Sequence, residues 1–277
     1  MALKLMYITN RPEVAEIAQS CGVDRIFLDM EYLGKEERQP GDTVKSSHTV
    51  ADVAHVRSVL TSSELLVRVN PITEASADFC GSEAEIDAVV AAGADVIMLP
   101  MAKTVGEVKR FAELVGKRAK TMLLLETAEA AEQIGEMLSL GVIDEVHIGL
   151  NDLHLALGKK FMFELLADGT VERLCKIISA HGVPYGFGGI ARLGYGMLPS
   201  EYVICEHYRL GSSAAILSRS FANMNHVSDL DETRRIFEVE TAKIRAYEAD
   251  LAHNTAEDFE KNRLETVRLV KTISERI

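Results

Sequence analysis

Eight short apolar runs, each followed by a longer amphipathic stretch, constrain this chain more than any other feature. The candidate strands are Leu3–Ile8, Arg25–Asp29, Leu65–Val69, Val96–Leu99, Thr121–Glu126, Glu145–Leu150, Pro184–Phe187 and Tyr208–Gly211. Between them, Pro12–Cys21, Val50–Leu60, Glu83–Ala92, Val105–Val115, Ala128–Leu140 and Val171–Ala180 place apolar residues at i, i+3 and i+4, the helical spacing. Gly22, Gly93, Gly141 and Gly182 follow such segments, where a left-handed helix end is expected. Repeated strand–helix order implies a parallel sheet covered by helices. Eight units in about 220 residues suit a closed (β/α)8 TIM barrel, an α/β fold. An open doubly wound sheet would need a glycine-rich phosphate turn after the first strand. Here that turn is Thr9-Asn10-Arg11-Pro12, with no glycine. The expected organisation is a barrel over residues 1–225 and extra C-terminal helices over 226–277.

Composition narrows the class. The 277 residues leave one or two domains open at about 150 each. A hydrophobic content of 47% is enough for a large core. The four cysteines form no C-x-x-C pair, so neither a zinc knuckle nor a disulfide framework is indicated. The formal charge of −12 repels phosphate backbones and anionic lipid, which argues against nucleic-acid and membrane partners. Met1–Asn10 reads as a strand rather than a signal peptide, and no run approaches the roughly 20 apolar residues of a membrane span. A cytoplasmic protein is expected.

Two stretches break the rhythm. Met30–Thr49 is long and charged, as a loop over an active-site mouth would be. His226–Ile277 reads as two helices broken near Asn254, with a capping-type start at Thr255-Ala-Glu-Asp258. Ile236, Val239, Ile244, Tyr247 and Leu251 form one expected apolar stripe, and Phe259, Leu264, Val267, Val270 and Ile273 another. These helices cover the barrel or form an arm on a second subunit, and a homo-oligomer is expected.

Barrel chemistry sits at the C-terminal ends of strands. Standing there are Asp29 and Glu31, Arg68 and Asn70, Pro100, Glu126, Gly149-Leu150-Asn151-Asp152, Gly188-Gly189 with Arg192, and Gly211-Ser212-Ser213. Glu126 and Asp152 follow neighbouring strands. Two carboxylates at one height repel unless protonated or bridged, and Mg2+ or Mn2+ held with waters and substrate would bridge them. The alternative is that Glu126 pairs with a local cation while Asp152 caps the next helix. Arg68 lies within the apolar run Leu65–Val69, so its guanidinium needs an anion. That anion is Asp29 or Glu126, or else a substrate carboxylate or enolate. His147 reads as a packed histidine. His48, at the end of the long loop, is a surface histidine or an acid/base reaching the mouth. No H-E-x-x-H, no G-x-S-x-G and no strand-six lysine occur, so a carbonyl would be activated by a metal. Gly186–Gly189 with Arg192 makes an anion cradle or only a tight turn.

At these residues the chain resembles the superfamily of the citrate lyase beta subunit and the metal-dependent pyruvate-type (2,4-dihydroxyhept-2-ene-1,7-dioate) aldolases. The matching pieces are Ile26-Phe-Leu-Asp-Met-Glu31, Leu66-Val-Arg-Val-Asn-Pro71, Ile86–Pro100, Leu123-Leu-Leu-Glu-Thr-Ala128, Ile148-Gly-Leu-Asn-Asp-Leu153 and Leu157-Gly158. The resemblance implies a divalent metal on Glu126 and Asp152, a substrate-facing Arg68, contacts from Gly149, Leu150 and Asn151, and Pro100 at the strand-four lip. It also implies carbon–carbon bond chemistry beside a carbonyl, with Arg68 supporting the enolate. One position departs. After Glu31 the aldolase branch carries a histidine and the citrate-lyase branch an aspartate, whereas here Tyr32 stands. The base is then His48, a metal-bound water or Tyr32, and the expected catalytic residues are Arg68, His48 and Glu31.

The leading expectation is an aldolase-type lyase acting on a small 2-oxo acid such as pyruvate. A second is a lyase acting on an acyl-coenzyme A thioester, with Lys103, Lys109 and Arg110 as candidates for the nucleotide. A third is a catalytically silent barrel that binds a metabolite.

Overall fold

A computed structural model of the chain describes residues 2–35, 48–218, 221–222 and 229–277. Most of the expected Met30–Thr49 loop (36–47) and the start of the expected extension (226–228) lie outside the described residues. The order is β1 (Lys4–Ile8), α1 (Pro12–Ser20), β2 (Arg25–Asp29), α2 (Val50–Arg57), β3 (Glu64–Arg68), α3 (Ser82–Ala91), β4 (Val96–Leu99), α4 (Val105–Val115) and β5 (Lys120–Leu125). It continues through α5 (Ala128–Ser139), β6 (Glu145–Ile148), α6 (Leu150–Ala156), α7 (Glu164–Ala167), α8 (Thr170–Ala180), β7 (Tyr185–Ile190), α9 (Ser200–Arg209), β8 (Ala214–Leu217), α10 (Leu230–Leu251) and α11 (Ala256–Ser274). The eight strands are parallel in sequence order, and β8 pairs with β1 to close a (β/α)8 barrel.

The expected eighth strand is wrong. Tyr208 and Arg209 finish α9, Leu210 caps it, and Gly211 turns the chain at a φ of 71°. Buried Val203, Ile204 and His207 carry the helical period up to Tyr208, which a short apolar run does not reveal. The strand is Ala214–Leu217, so Gly211-Ser212-Ser213 enters it from the N-terminal end, away from the catalytic lip expected for it.

Closure decides where charged strand residues go. Side chains alternate along a strand, so every second one points into the barrel. Leu5, Ile26, Leu28, Leu65, Val67, Ile97, Leu99, Leu123 and Leu125 join the larger core under the helices. The alternate positions Met6, Phe27, Leu66, Val96, Met98, Met122, Leu124 and Ala214 form a separate apolar cluster inside. Below that layer, fully buried Arg25 bonds both oxygens of Glu145 at 2.9 Å and one of Glu64 at 2.5 Å. Lys4 and Lys120 also reach Glu64, at 3.1 and 2.7 Å. Above it, the same alternation points Asp29 and Arg68 inward, and β2–β3 register sets them side by side.

The C-terminal helices pack on the barrel's own helices, α10 on α1 and α9 and α11 on α7 and α9. The Thr255–Asp258 capping box is present. The expected stripes are shifted: α10 buries Phe237, Thr241, Ile244, Glu248 and Leu251 and leaves Val239 exposed, while α11 buries Thr266 and Val270 and exposes Leu264. Glu248 is buried because it accepts the Leu3 N–H at 2.6 Å and meets Arg245 at 2.7 Å. No described helix is long and apolar enough to cross a membrane.

Removing the Arg25 guanidinium leaves Glu145 with Lys4 at 3.8 Å in place of two bonds at 2.9 Å, while Glu64 keeps Lys4 and Lys120. Arg25→Met is expected to cost about 3 kcal/mol of unfolding free energy, read from urea titrations. A loss below about 1 kcal/mol would show that the base does not depend on it.

Candidate active site

A cavity of about 180 Å3 opens at the C-terminal end of the barrel. Its walls are the upper barrel interior (Ile8, Phe27, Met98, Leu124, Ile216), and its polar groups are Arg68, Glu126, His147, Asn151 and Asp152. Glu126 and Asp152 also line an adjoining space of about 400 Å3 with Met101, Lys103 and Glu129. The two acids therefore stand on the boundary between a small apolar pocket and a wider outer one.

Each acid is placed by local backbone chemistry. Glu126 follows β5 directly, and Thr127 caps α5 through the Ala130 N–H. Its Oε1 accepts the N–H of Met101 at 3.0 Å, which Met101 presents from a left-handed φ of 54°. Asp152 is in the first turn of α6, a helix that starts at Gly149. Gly149 has no room for a side chain: a Cβ there would meet the Glu126 Cβ at 2.9 Å and Oε2 at 3.1 Å. Burial pushes the Glu126 carboxyl up to about 8; Arg68 opposes the shift, and Asp152 and Glu31 add to it.

Arg68 is gripped along one edge. Its Nε and Nη2 donate to Asp29 at 2.8 and 2.7 Å, and its Nη1 lies 3.4 Å from Glu31. Although its own burial favours the neutral form, Asp29 foremost, then Glu31 and Glu126, keep the guanidinium firmly protonated. Asp29 is in turn held well below the usual carboxylate range by Arg68 and Lys35, against the effect of its burial. Sequence reasoning missed Lys35. It is 5% exposed, and its ammonium donates to Asp29 at 2.9 Å, with Glu31 at 3.8 Å. Placed in a polar loop, it gave no periodic signal.

The other expected site residues divide clearly. Gly149, Leu150 and Asn151 line the cavity, while Pro100 is buried beside it, one residue before Met101. Neither His48 nor Glu31 lines the cavity: the His48 Nδ1 accepts the Asp29 N–H at 2.9 Å, and Glu31 is buried behind the Arg68 guanidinium. Tyr32 is half exposed, and its hydroxyl donates to the Asp78 carbonyl at 3.1 Å. Gly188 and Gly189 line the cavity, but Arg192 donates to the Phe221 carbonyl instead, so no glycine–arginine anion cradle forms. Lys103, Lys109 and Arg110 do not converge. Lys103 pairs with Glu129 and Arg110 with Glu83, while Lys109 lines a groove at the opposite end of the barrel beside Lys120 and Thr121. His147 points inward and its Nε2 lies 3.1 Å from the Gly188 carbonyl oxygen.

Among the described residues, no three His, Cys, Asp or Glu side chains form a ready-made metal cage. The charges nonetheless fit a hard dication. Arg68 and Lys35 answer Asp29, whereas burial, with Asp152 and Glu31 adding to it, raises the Glu126 carboxyl, and a dication beside it would favour the ionised form. Two carboxylates with open positions are what Mg2+ takes when waters and substrate oxygens complete its shell.

The family described as HpcH/HpaI aldolase/citrate lyase matches residues 4–180. No curated protein sequence matches the chain. Among solved structures, an HpcH/HpaI aldolase from Desulfitobacterium hafniense DCB-2 is similar at a TM-score of 0.59 and 18% identity, over 78% of this chain and 86% of that one. An HpcH/HpaI aldolase/citrate lyase family protein from Burkholderia cenocepacia J2315 gives 0.63 and 14%, over 84% and 95%. The citrate synthase SbnG gives 0.57 and 15%, over 88% and 94%.

Two of the buried imidazoles, those of His147 and His207, set an acid limit. Burial pushes His147 down to about 4 and His207, stacked on Phe187, down to about 3. The unfolded chain takes up these protons near pH 6.5 and the native chain refuses them. Stability is therefore full above about pH 6.5 and falls as the pH drops toward the folded values, by up to about 1.4 kcal/mol per pH unit for each histidine. His207→Phe is expected to flatten this slope in urea titrations between about pH 4.5 and 7, and an unchanged slope would contradict it.

Proposed function

Since this chain belongs to the HpcH/HpaI aldolase/citrate lyase family and is a carbon–carbon lyase, we propose that it makes or breaks the bond next to the carbonyl of a small 2-oxo acid such as pyruvate. The observation that carries this reading is the boundary position of Glu126 and Asp152 beside a small cavity whose one arginine among the described residues is Arg68. The family generally depends on a divalent metal. Glu126 and Asp152 would hold it, and when bound it supplies Lewis-acid polarisation of the oxo group.

The chain's own residues do the rest. Asp29 fixes the guanidinium edge-on, leaving Nη1 for charge that develops on the substrate's oxo oxygen. In cleavage, the hydroxyl of the longer acid loses its proton and the carbon–carbon bond breaks to give an aldehyde. The electron pair stays on the pyruvate-like half as an enolate, which then takes a proton at carbon. With His48 Nδ1 and the Tyr32 hydroxyl committed to backbone partners, Glu31 is the strand-two carboxylate that moves the proton, at its Oε2 beside Arg68. Phe27, Met98, Leu124 and Ile216 keep water from the enolate carbon.

A free acid is favoured over a coenzyme A thioester because Lys103, Lys109 and Arg110 point to three separate places. Retention of the whole Asp29–Arg68–Glu126–Asp152 set favours an active enzyme over a silent barrel.

Proton–deuterium exchange at the methyl group of pyruvate tests the reading without knowledge of the aldehyde. With Mg2+ or Mn2+ the wild-type protein is expected to catalyse exchange. Glu126→Ala and Asp152→Ala should each lower it by at least about a hundredfold with unchanged circular dichroism. Exchange that persists in chelator would overturn the metal's part, and no exchange by the wild-type protein would overturn the choice of pyruvate-like substrate.

A further inference from the structure

Arg68 and Glu31 work only if the segment after β2 stays in place, and that segment is anchored by a side chain. Asn70, two residues beyond Arg68, is fully buried. Its Oδ1 accepts the N–H groups of Tyr32 and Leu33, both at 3.0 Å. Its Nδ2 donates to Glu85 Oε1 at 2.7 Å and to the Met30 carbonyl at 3.4 Å. Its backbone N–H donates to Glu85 Oε2 at 3.0 Å. Glu31 lies in the middle of the segment so held.

Glu85 is the unexpected partner. It lies on α3 and is 4% exposed. Among the described residues it pairs with no lysine, arginine or histidine, and burial raises its carboxyl. Burying a carboxylate without a counter-charge is costly. A glutamine would fill the same space at lower cost, but it offers one acceptor and one donor in place of two acceptors. Asn70 presents two donors to this site, its backbone N–H and its Nδ2. The carboxylate meets each donor with its own oxygen, and in doing so it favours the amide orientation that turns the oxygen toward Tyr32 and Leu33.

We propose that Glu85 is a positioning residue for the reaction: by fixing the orientation of the Asn70 amide it holds the Met30–Leu33 segment, and with it Glu31, against Arg68. This deepens the lyase reading and rests on it for its kinetic consequence, while the hydrogen-bond pattern can be read independently.

The test is a polarity swap. In Glu85→Gln one Asn70 donor faces another donor, and in Asn70→Asp two buried carboxylates face each other. Combining the two substitutions restores the match to residue 85 and to the Tyr32 and Leu33 N–H groups, giving up only the 3.4 Å bond to the Met30 carbonyl. The introduced glutamine then donates its amide to the introduced aspartate and accepts the backbone N–H of that same residue, while the aspartate still accepts from Tyr32 and Leu33. Each single variant is expected to slow pyruvate-methyl exchange by about tenfold or more through kcat, with KM little changed, and the double variant to recover to within about threefold of wild type. In parallel, the Tyr32 and Leu33 amides should be protected from hydrogen exchange in the wild-type protein. That protection should fall in the single variants and return in the double. Singles as fast as wild type, or a double as slow as the singles, would overturn the proposal. If a single variant fails to fold, the double variant and the wild-type amides decide alone, and solvent-limited exchange at Tyr32 and Leu33 in wild type would overturn it. Absence of pyruvate exchange by the wild-type protein, with the amides protected as expected, would count against the substrate assignment and leave the clamp supported.

Discussion

A charge that points into a closed barrel has to be matched where it stands. Strand alternation sends residues inward whether they are apolar or not, and closure leaves no edge through which a misplaced charge can reach water. This chain places ions inside at two levels, separated by the layer of Met6, Phe27, Leu66, Met98, Met122 and Leu124. At the base, Arg25 is bound on both sides by Glu64 and Glu145, with Lys4 and Lys120 completing the set. At the lip, Arg68 and Lys35 satisfy Asp29 and approach Glu31, while burial raises the carboxyl of Glu126 beyond them. The same geometric rule therefore yields a closed ionic plug at one end and, at the other, a lip that bears the two carboxylates proposed to hold the metal.

The lip is also where backbone departs from regular geometry, and the departures serve the acids. Met101 adopts a left-handed conformation that directs its N–H at Glu126. Gly149 leaves the space in which the Glu126 carboxylate stands. Strain and a missing side chain are costs a purely structural barrel end would not carry, and both converge on one carboxylate. Tyr32 marks a different solution on the neighbouring strand. Its ring meets Phe79 edge-on and its hydroxyl binds Asp78, so it braces the outer wall rather than entering the cavity.

The barrel was legible because its signal is periodic: seven of the strands and the helices between them follow from alternation and from helical spacing. The eighth strand was not, because Val203, Ile204, His207 and Tyr208 carry a helical face into a short apolar run that mimics a strand. For the site, strand ends and the quoted motifs brought out Asp29, Glu31, Arg68, Glu126 and Asp152. Lys35 and Glu85 stayed hidden for opposite reasons. Lys35 sits in a polar stretch where a lysine is unremarkable, and only the fold returns it to Asp29. Glu85 occupies the first turn of a helix, where an acid is expected for the helix dipole. Nothing in one sequence separates such an acid from one that is buried to receive two N–H groups.

That ambiguity bears on how the reaction is divided among residues. A histidine after Glu31 would place a titratable group directly on the segment, whereas this chain puts a tyrosine there and turns it outward. In the proposed reaction, proton movement then depends on Glu31, whose segment is held by hydrogen bonds to its neighbours' backbone. A residue in this position needs rigidity from elsewhere, and the Asn70 amide supplies it from the strand that also carries Arg68. The guanidinium and the segment facing it are thus anchored on the same six-residue stretch of β3 and its exit, Leu65–Asn70. Relative motion between them is limited to what two residues of extended chain allow, which is why one strand can carry both the guanidinium proposed to support the enolate and the amide that holds the segment bearing the proposed proton donor.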